Sequence, residues 1–173
     1  MGVTTSSNSA ATYVPIERKT LGSATPTVIF TSIPQTFTDL ILITNDIINT
    51  TNVLAMYTQF NSDTGTNYSD TLLEGNGSSA ASGRDSNKTA LLIGRSYGGD
   101  RSMNIFQFQN YSNTTTYKTT LSRYEGAGSS SAVGAGVGLW RSTAAITSIT
   151  LGLEGGYNFS SGCQFTLYGI KAA

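Results

Sequence analysis

The chain has 173 residues, with 10 basic and 10 acidic side chains, no histidine and one cysteine. That length suffices for one domain with a single sizeable core. Scattered charges that sum to zero exclude the clustered Lys and Arg of a nucleic-acid footprint, the missing histidine excludes His-activated nucleophiles and His-ligated zinc, and a lone cysteine excludes an intrachain disulfide.

Residues 1–12 (MGVTTSSNSAAT) carry almost nothing that could join a core, so they read as an extended arm whose ordering depends on a neighbouring chain. From Tyr13 onward strand follows strand. Tyr13 to Leu21 opens the series, with Pro15 suiting an edge or first position. Thr27 to Ile33 (TVIFTSI) is β-branched or aromatic at nearly every position. Pro34 then fixes its own backbone angle and pushes Ile33 toward extended geometry, which makes a corner. Leu40 to Ile43 is apolar on both faces of a strand, the mark of a central strand covered on both sides, and Asp39 before it reads as a cap on the turn.

Val53 to Phe60, Tyr68 to Leu73, Lys88 to Gly94, Met103 to Phe108, Tyr117 to Tyr124, Val133 to Trp140, Ile146 to Leu153 and Gln164 to Ile170 follow. Each is bounded by Gly, Asn, Asp or Ser clusters. The low-complexity stretches Gly75 to Asn87 and Gly126 to Ser131 read, like the arm, as segments held by neighbours. No window keeps a 3.6-residue apolar period, so little helix is expected. The predicted architecture is all-β: a jelly-roll-like β-sandwich of two antiparallel sheets over residues 13–173, preceded by the arm.

In Val133 to Trp140 (VGAGVGLW), Val133, Ala135, Val137 and Leu139 alternate with Gly134, Gly136 and Gly138. One face is therefore apolar and the other bare backbone, which something must approach closely. The visitor is either another strand of the sandwich or a like copy. With Trp140 as the largest anchor available, the expected three-fold self-contact falls on Gly134, Gly136, Gly138 and Trp140.

Little else points to chemistry. Asp63, Asp70, Glu74 and Asp85 lie in or near the loop-rich middle without a pairing that suggests acid/base work, so no enzyme is expected. The run GAGVG at 134–138 lacks the preceding strand and following helix of a dinucleotide loop. No Asp/Asn cluster has calcium-loop spacing, and neither a cofactor nor a metal is expected. Without a signal peptide or a membrane-length apolar run, a soluble chain made in the cytoplasm is expected, its Asn sequons implying no glycan. Cys163 reads as a small buried hydrophobe. Tyr97, Tyr111, Tyr117 and Tyr157 sit beside Gly and Asn where rings could stack on sugars, although packing at a strand end is the commoner use.

The sequence from Phe30 to Leu40 (FTSIPQTFTDL), the Gly/Ser-rich middle and the closing Phe165 to Ile170 (FTLYGI) resemble small virion proteins of tailed bacteriophages, especially of the cyanophage type. The resemblance implies a jelly-roll-like homotrimer serving as a capsid decoration (cement) protein or as part of a fibre, with no catalytic residues. The short arm favours the capsid. The implied partners are like copies and the phage major capsid protein, on the outer surface of the virion, with Gly2, Val3, Thr4 and Thr5 as the capsid contact. The alternative is a fibre or receptor-binding module that recognises host surface glycans through the loops holding Tyr97, Asp100, Arg101 and Tyr157.

Overall fold

A computed structural model of the chain describes residues 12–49, 53–126 and 132–171. The described residues form twelve strands: β1 (Tyr13–Thr20), β2 (Thr27–Phe30), β3 (Asp39–Asn49), β4 (Leu54–Phe60), β5 (Tyr68–Gly75), β6 (Ala80–Lys88), β7 (Leu91–Gly98), β8 (Ser102–Gln109), β9 (Lys118–Gly126), β10 (Val133–Trp140), β11 (Ile149–Leu153) and β12 (Gln164–Ile170). A 3-10 turn at Glu154–Gly156 is the one helical piece among them. The protein is all-β, a sandwich whose larger sheet runs β1-β12-β3-β8-β9-β10-β5-β6 and whose smaller sheet runs β2-β11-β4-β7. Pairing within each sheet is antiparallel, and a short parallel contact joins the sheets where Ile48 meets Tyr97 and Asn49 meets Gly98. The chain crosses from one sheet to the other at almost every step. The exceptions are the steps β5–β6, β8–β9 and β9–β10, and the hairpin β5–β6 and the pair β9–β10 widen the larger sheet.

The core lies between the sheets, as strand alternation requires. Leu42, Phe106, Phe165 and Leu167 of the larger sheet face Met56, Ile149 and Leu151 of the smaller one, all fully buried. At one end Phe60 packs edge-on to Phe108, with ring centroids 5.4 Å apart, and Tyr68 stacks on Trp140 at 6.3 Å. Such pairs add directional stabilisation to burial. At the corner predicted for Pro34, Tyr111 Oη donates to the Pro34 carbonyl and Gln35 Nε2 donates to the carbonyls of Ile33 and Ile146. Asp39 does cap a turn, but a distant one: its Oδ1 accepts from Asn110 N at 2.6 Å.

Gly75 to Asn87, expected as a low-complexity segment, is largely the strand β6, paired with β5 over Ala80 to Lys88. Asn76 Oδ1 accepts from the backbone N–H groups of Ser78 and Ser79, and Gly77 takes the positive φ that this tight turn needs.

The edge strand β7 of the smaller sheet lies over β9, β10 and β5. Its free backbone groups would be costly if left unpaired. Side chains from the inner face of the larger sheet satisfy them. Ser122 Oγ donates to Ile93 O at 2.5 Å, Asn104 Nδ2 donates to Arg95 O at 2.9 Å, Asn104 Oδ1 accepts from Arg95 N at 2.8 Å, and Asp70 Oδ2 accepts from Leu92 N at 3.2 Å.

The glycines of β10 give β7 room. A methyl at Gly136 would come within 2.8 Å of Leu72 Cδ2 and Ser122 Oγ and 3.2 Å from Ile93 Cβ. Gly136→Val is accordingly expected to destabilise the fold by about 1–3 kcal/mol through overpacking, read as a lower urea midpoint; a loss under about 0.5 kcal/mol would contradict this packing account.

Burial holds the Asp70 carboxyl above its ordinary pKa, with the neighbouring Asp85 adding to the effect. An acid whose folded pKa is raised loses stabilisation as pH rises through that folded value. Asp70→Asn keeps an acceptor for Leu92 N without the buried charge and is expected to be neutral or slightly stabilising at pH 7. Asp70→Ala orphans that N–H and is expected to cost about 1–3 kcal/mol. Chemical denaturation of both variants checks the pair, and equal losses would refute the assignment.

Candidate interaction surface

The strand β10 inverts the usual order of a half-buried strand. Gly134, Gly136, Gly138 and Trp140 point into the sandwich, while Val133, Ala135 and Val137 point out. The close visitor to the bare face is therefore within this chain. The Tyr124 ring covers Gly134, Ile93 and Leu72 approach Gly136, and Leu91 lies on Gly138. Trp140 is 2% exposed, and its Nε1 donates to Asp63 Oδ2 at 2.7 Å. The expected self-contact through Gly134, Gly136, Gly138 and Trp140 is thus corrected. These residues are core, and their interior neighbours leave them no outer surface to share.

What the inversion exposes is a band of apolar side chains on the outer face of the larger sheet. Register places Tyr168, Ile41, Gln107, Leu121, Val137 and Thr71 in one row across the strands. The adjacent row holds Ile43, Ile105, Arg123, Ala135 and Leu73. Leu73, Leu121, Val133 and Val137 are 59%, 40%, 65% and 52% exposed. Around them the sheet forms a shallow trough of about 410 Å³, floored by Ala135 and the backbone of Gly136 and walled by Leu73, Leu121, Ile105 and Val137. At the other end of the band Tyr13 meets Tyr168 edge to face, with centroids 6.1 Å apart. The double apolarity of Leu40 to Ile43 now has a cause: Leu40 and Leu42 face the smaller sheet, whereas Ile41 and Ile43 lie on the outer face, Ile41 already covered at 6% exposure and Ile43 half-buried.

The remaining candidates disperse. Tyr97 and Tyr111 are buried at 2% and 0% exposure, the packed use that is the commoner one for such rings, while Tyr117 and Tyr157 are open at 55% and 44%. Burial pushes the Tyr97 hydroxyl up to about 12. Asp100 and Arg101 sit in the turn between β7 and β8, whereas Tyr157 lies against Gly155 beyond β11. Glu74 joins Arg95 at 3.2 Å and accepts from Tyr124 Oη at 3.0 Å, an ion pair already engaged in holding β5 to β7. Among the described residues no three His, Cys, Asp or Glu side chains converge as a metal site would require. Lys118 is buried and donates to the carbonyls of Thr116 and Thr143, and its loss of solvent lowers its pKa. Cys163 is buried and its Sγ accepts from Ile48 N at 3.4 Å. Residues Gly2, Val3, Thr4 and Thr5 lie outside the described residues.

A second concavity, about 380 Å³, opens on the smaller sheet between Tyr57, Gln59, Lys88 and Glu154. It is more polar than the trough, and the Tyr57 ring forms part of it, lying flush against Gly152. Neither a family model, a curated protein nor a solved structure matches the chain.

The Asp63 contacts generate a pH prediction. Partial burial raises its pKa, but bonds from Trp140 Nε1, Asn67 Nδ2 and Gly65 N outweigh that and leave it below its ordinary value. A lowered folded pKa contributes stability that is present above the unfolded value and is lost as pH falls through the folded one. Asp63→Asn should therefore lower the melting temperature at pH 7 and flatten the decline below about pH 4, as followed by the fluorescence of the lone tryptophan. An unchanged acid profile would refute it.

Proposed function

We propose that the protein is a non-enzymatic structural protein of a tailed-phage virion, a decoration protein that binds the outside of the assembled shell and bridges neighbouring major capsid subunits. The observation that carries this reading is the broad apolar outer face, the mark of a chain that works within an assembly. The strand order supports the jelly roll that the resemblance implies. With the two additions set aside, the pairs β1–β12, β3–β8, β2–β11 and β4–β7 are nested like a folded hairpin rolled into two sheets. Fold alone does not fix function, so the weight rests on the surface.

In this reading like copies assemble as a homotrimer, and residues of the arm, Gly2 to Thr5, touch the capsid protein. Binding that exists only on the closed lattice stabilises that lattice by mass action, and repeated copies multiply a modest affinity. Co-sedimentation tests it: the full chain should pellet with assembled shells and not with unassembled capsid subunits, and removal of residues 1–12 should weaken pelleting by at least about tenfold. Equal pelleting without the arm would refute the contact, and no pelleting by the full chain would refute the decoration role.

The polar concavity at Tyr57 favours a second reading, a fibre module that recognises host glycans. A ring seated on glycine with Gln59, Lys88 and Glu154 around it has the make-up of a sugar platform. Copy number in purified particles separates the two, since an abundant protein fits decoration and a scarce one a fibre tip.

A further inference from the structure

We propose that the apolar band on the outer face of the larger sheet is covered by a second copy of this chain, and that the self-contact of the assembly lies there. The inference rests on the assembly reading above and deepens it by locating the seam. Three observations carry it.

The first is area. Leu73, Leu121, Val133 and Val137, at 59%, 40%, 65% and 52% exposed, together offer on the order of 400 Å² of surface, by themselves the size of the largest apolar patch on a typical lone chain. Ala135, Ile105, Ile43 and Tyr168 continue the same field across the strands. A stable interface needs roughly 800 Å² per partner, about two-thirds apolar at its centre. The band supplies that centre, with Gln107 standing within it between Ile41 and Leu121, and the flanking Thr71 and Ser82 supply a polar rim.

The second observation is charge. Arg123 and Glu125 project from the same face of β9, two residues apart, beside the trough. Neither makes an ion pair among the described residues. A like copy brings both signs, so the Arg123 of one copy can face the Glu125 of another. With no net charge on the chain, association meets no long-range repulsion.

The third is the double apolarity of the central strand. The smaller sheet covers only the inner face of the larger one. Ile43 and Ile105, half-buried on the outer face, are placed where a sandwich would put a second cover, while Ile41 beside them is already covered at 6% exposure; sheet on sheet at about 10 Å is the ordinary way to provide that cover.

Light scattering coupled to size exclusion, with sedimentation equilibrium, tests the proposal on the full chain without shells, so that its failure is separate from failure to decorate. The wild-type chain is expected to be a homo-oligomer. Leu121→Glu and Val137→Lys, both at exposed positions, should weaken self-association by at least about tenfold while leaving the melting transition cooperative. Arg123→Glu should weaken it, and Arg123→Glu combined with Glu125→Arg should recover most of the loss. A wild-type chain that stays monomeric at about 100 µM overturns the proposal and leaves the band to the arm or to the capsid protein. An oligomer indifferent to both Leu121→Glu and Val137→Lys overturns it equally.

Discussion

The structure depends on how the free edge of β7 is satisfied. A four-stranded sheet laid over an eight-stranded one would normally bury an edge whose N–H and C=O groups have no ladder partner, at a cost comparable to several lost hydrogen bonds. Here the larger sheet reaches up with Asp70, Asn104, Ser102 and Ser122. That requirement explains polar residues which would otherwise be a liability in a core. Their geometry holds only if β7 sits close, and closeness is what the glycines of β10 permit.

Glycine in this protein is a means of placing rings as well as of approaching backbone. Tyr124 lies over Gly134, Tyr57 over Gly152 and Phe37 over Gly169. In the first two cases ring and glycine are directly opposed across neighbouring strands. An aromatic ring that covers a bare cross-strand neighbour restores the contact area that glycine gives up. The Tyr124–Gly134 pair lets an inward-facing glycine coexist with a continuous core and leaves Val133 and Ala135 turned outward, whereas the Tyr57–Gly152 pair lies on the outer side of the smaller sheet, with Leu151 and Leu153 buried.

Much of this was legible in the residues. Val133–Trp140 and Gln164–Ile170 have the same limits in the sequence as in the structure, because alternation and flanking turn residues agree there. The second strand ends earlier than its β-branched run, at Phe30, because Ser32 adopts a positive φ that breaks the ladder. The strand β6 was hidden, since AASGRDSNK has little intrinsic β tendency and is extended only by its pairing with β5.

The face of β10 was the larger misreading. Period two separates Gly134, Gly136 and Gly138 from Val133, Ala135 and Val137, but it does not say which set points inward. The rule that apolar residues go inside would have chosen the wrong one. Only the position of β7 decides, and that is a tertiary fact. The same holds for Tyr97 and Tyr111, whose Gly and Asn neighbours suggest open loops although both rings are enclosed.

The nested winding also has a kinetic side. β4 and β7 are the innermost pair of the roll, whereas β1 and β12 join Tyr13 to Ile170 across nearly the whole chain. Closing a loop that long forfeits more chain entropy than closing a short one, and the loss precedes any contact that offsets it. Assembly from the inside outward is therefore the easier route, with the outer edge of the larger sheet zipping last. During that interval Leu167 and Phe165 of β12 have only one flank covered, so the chain is most vulnerable to the wrong partner just before its own first strand arrives.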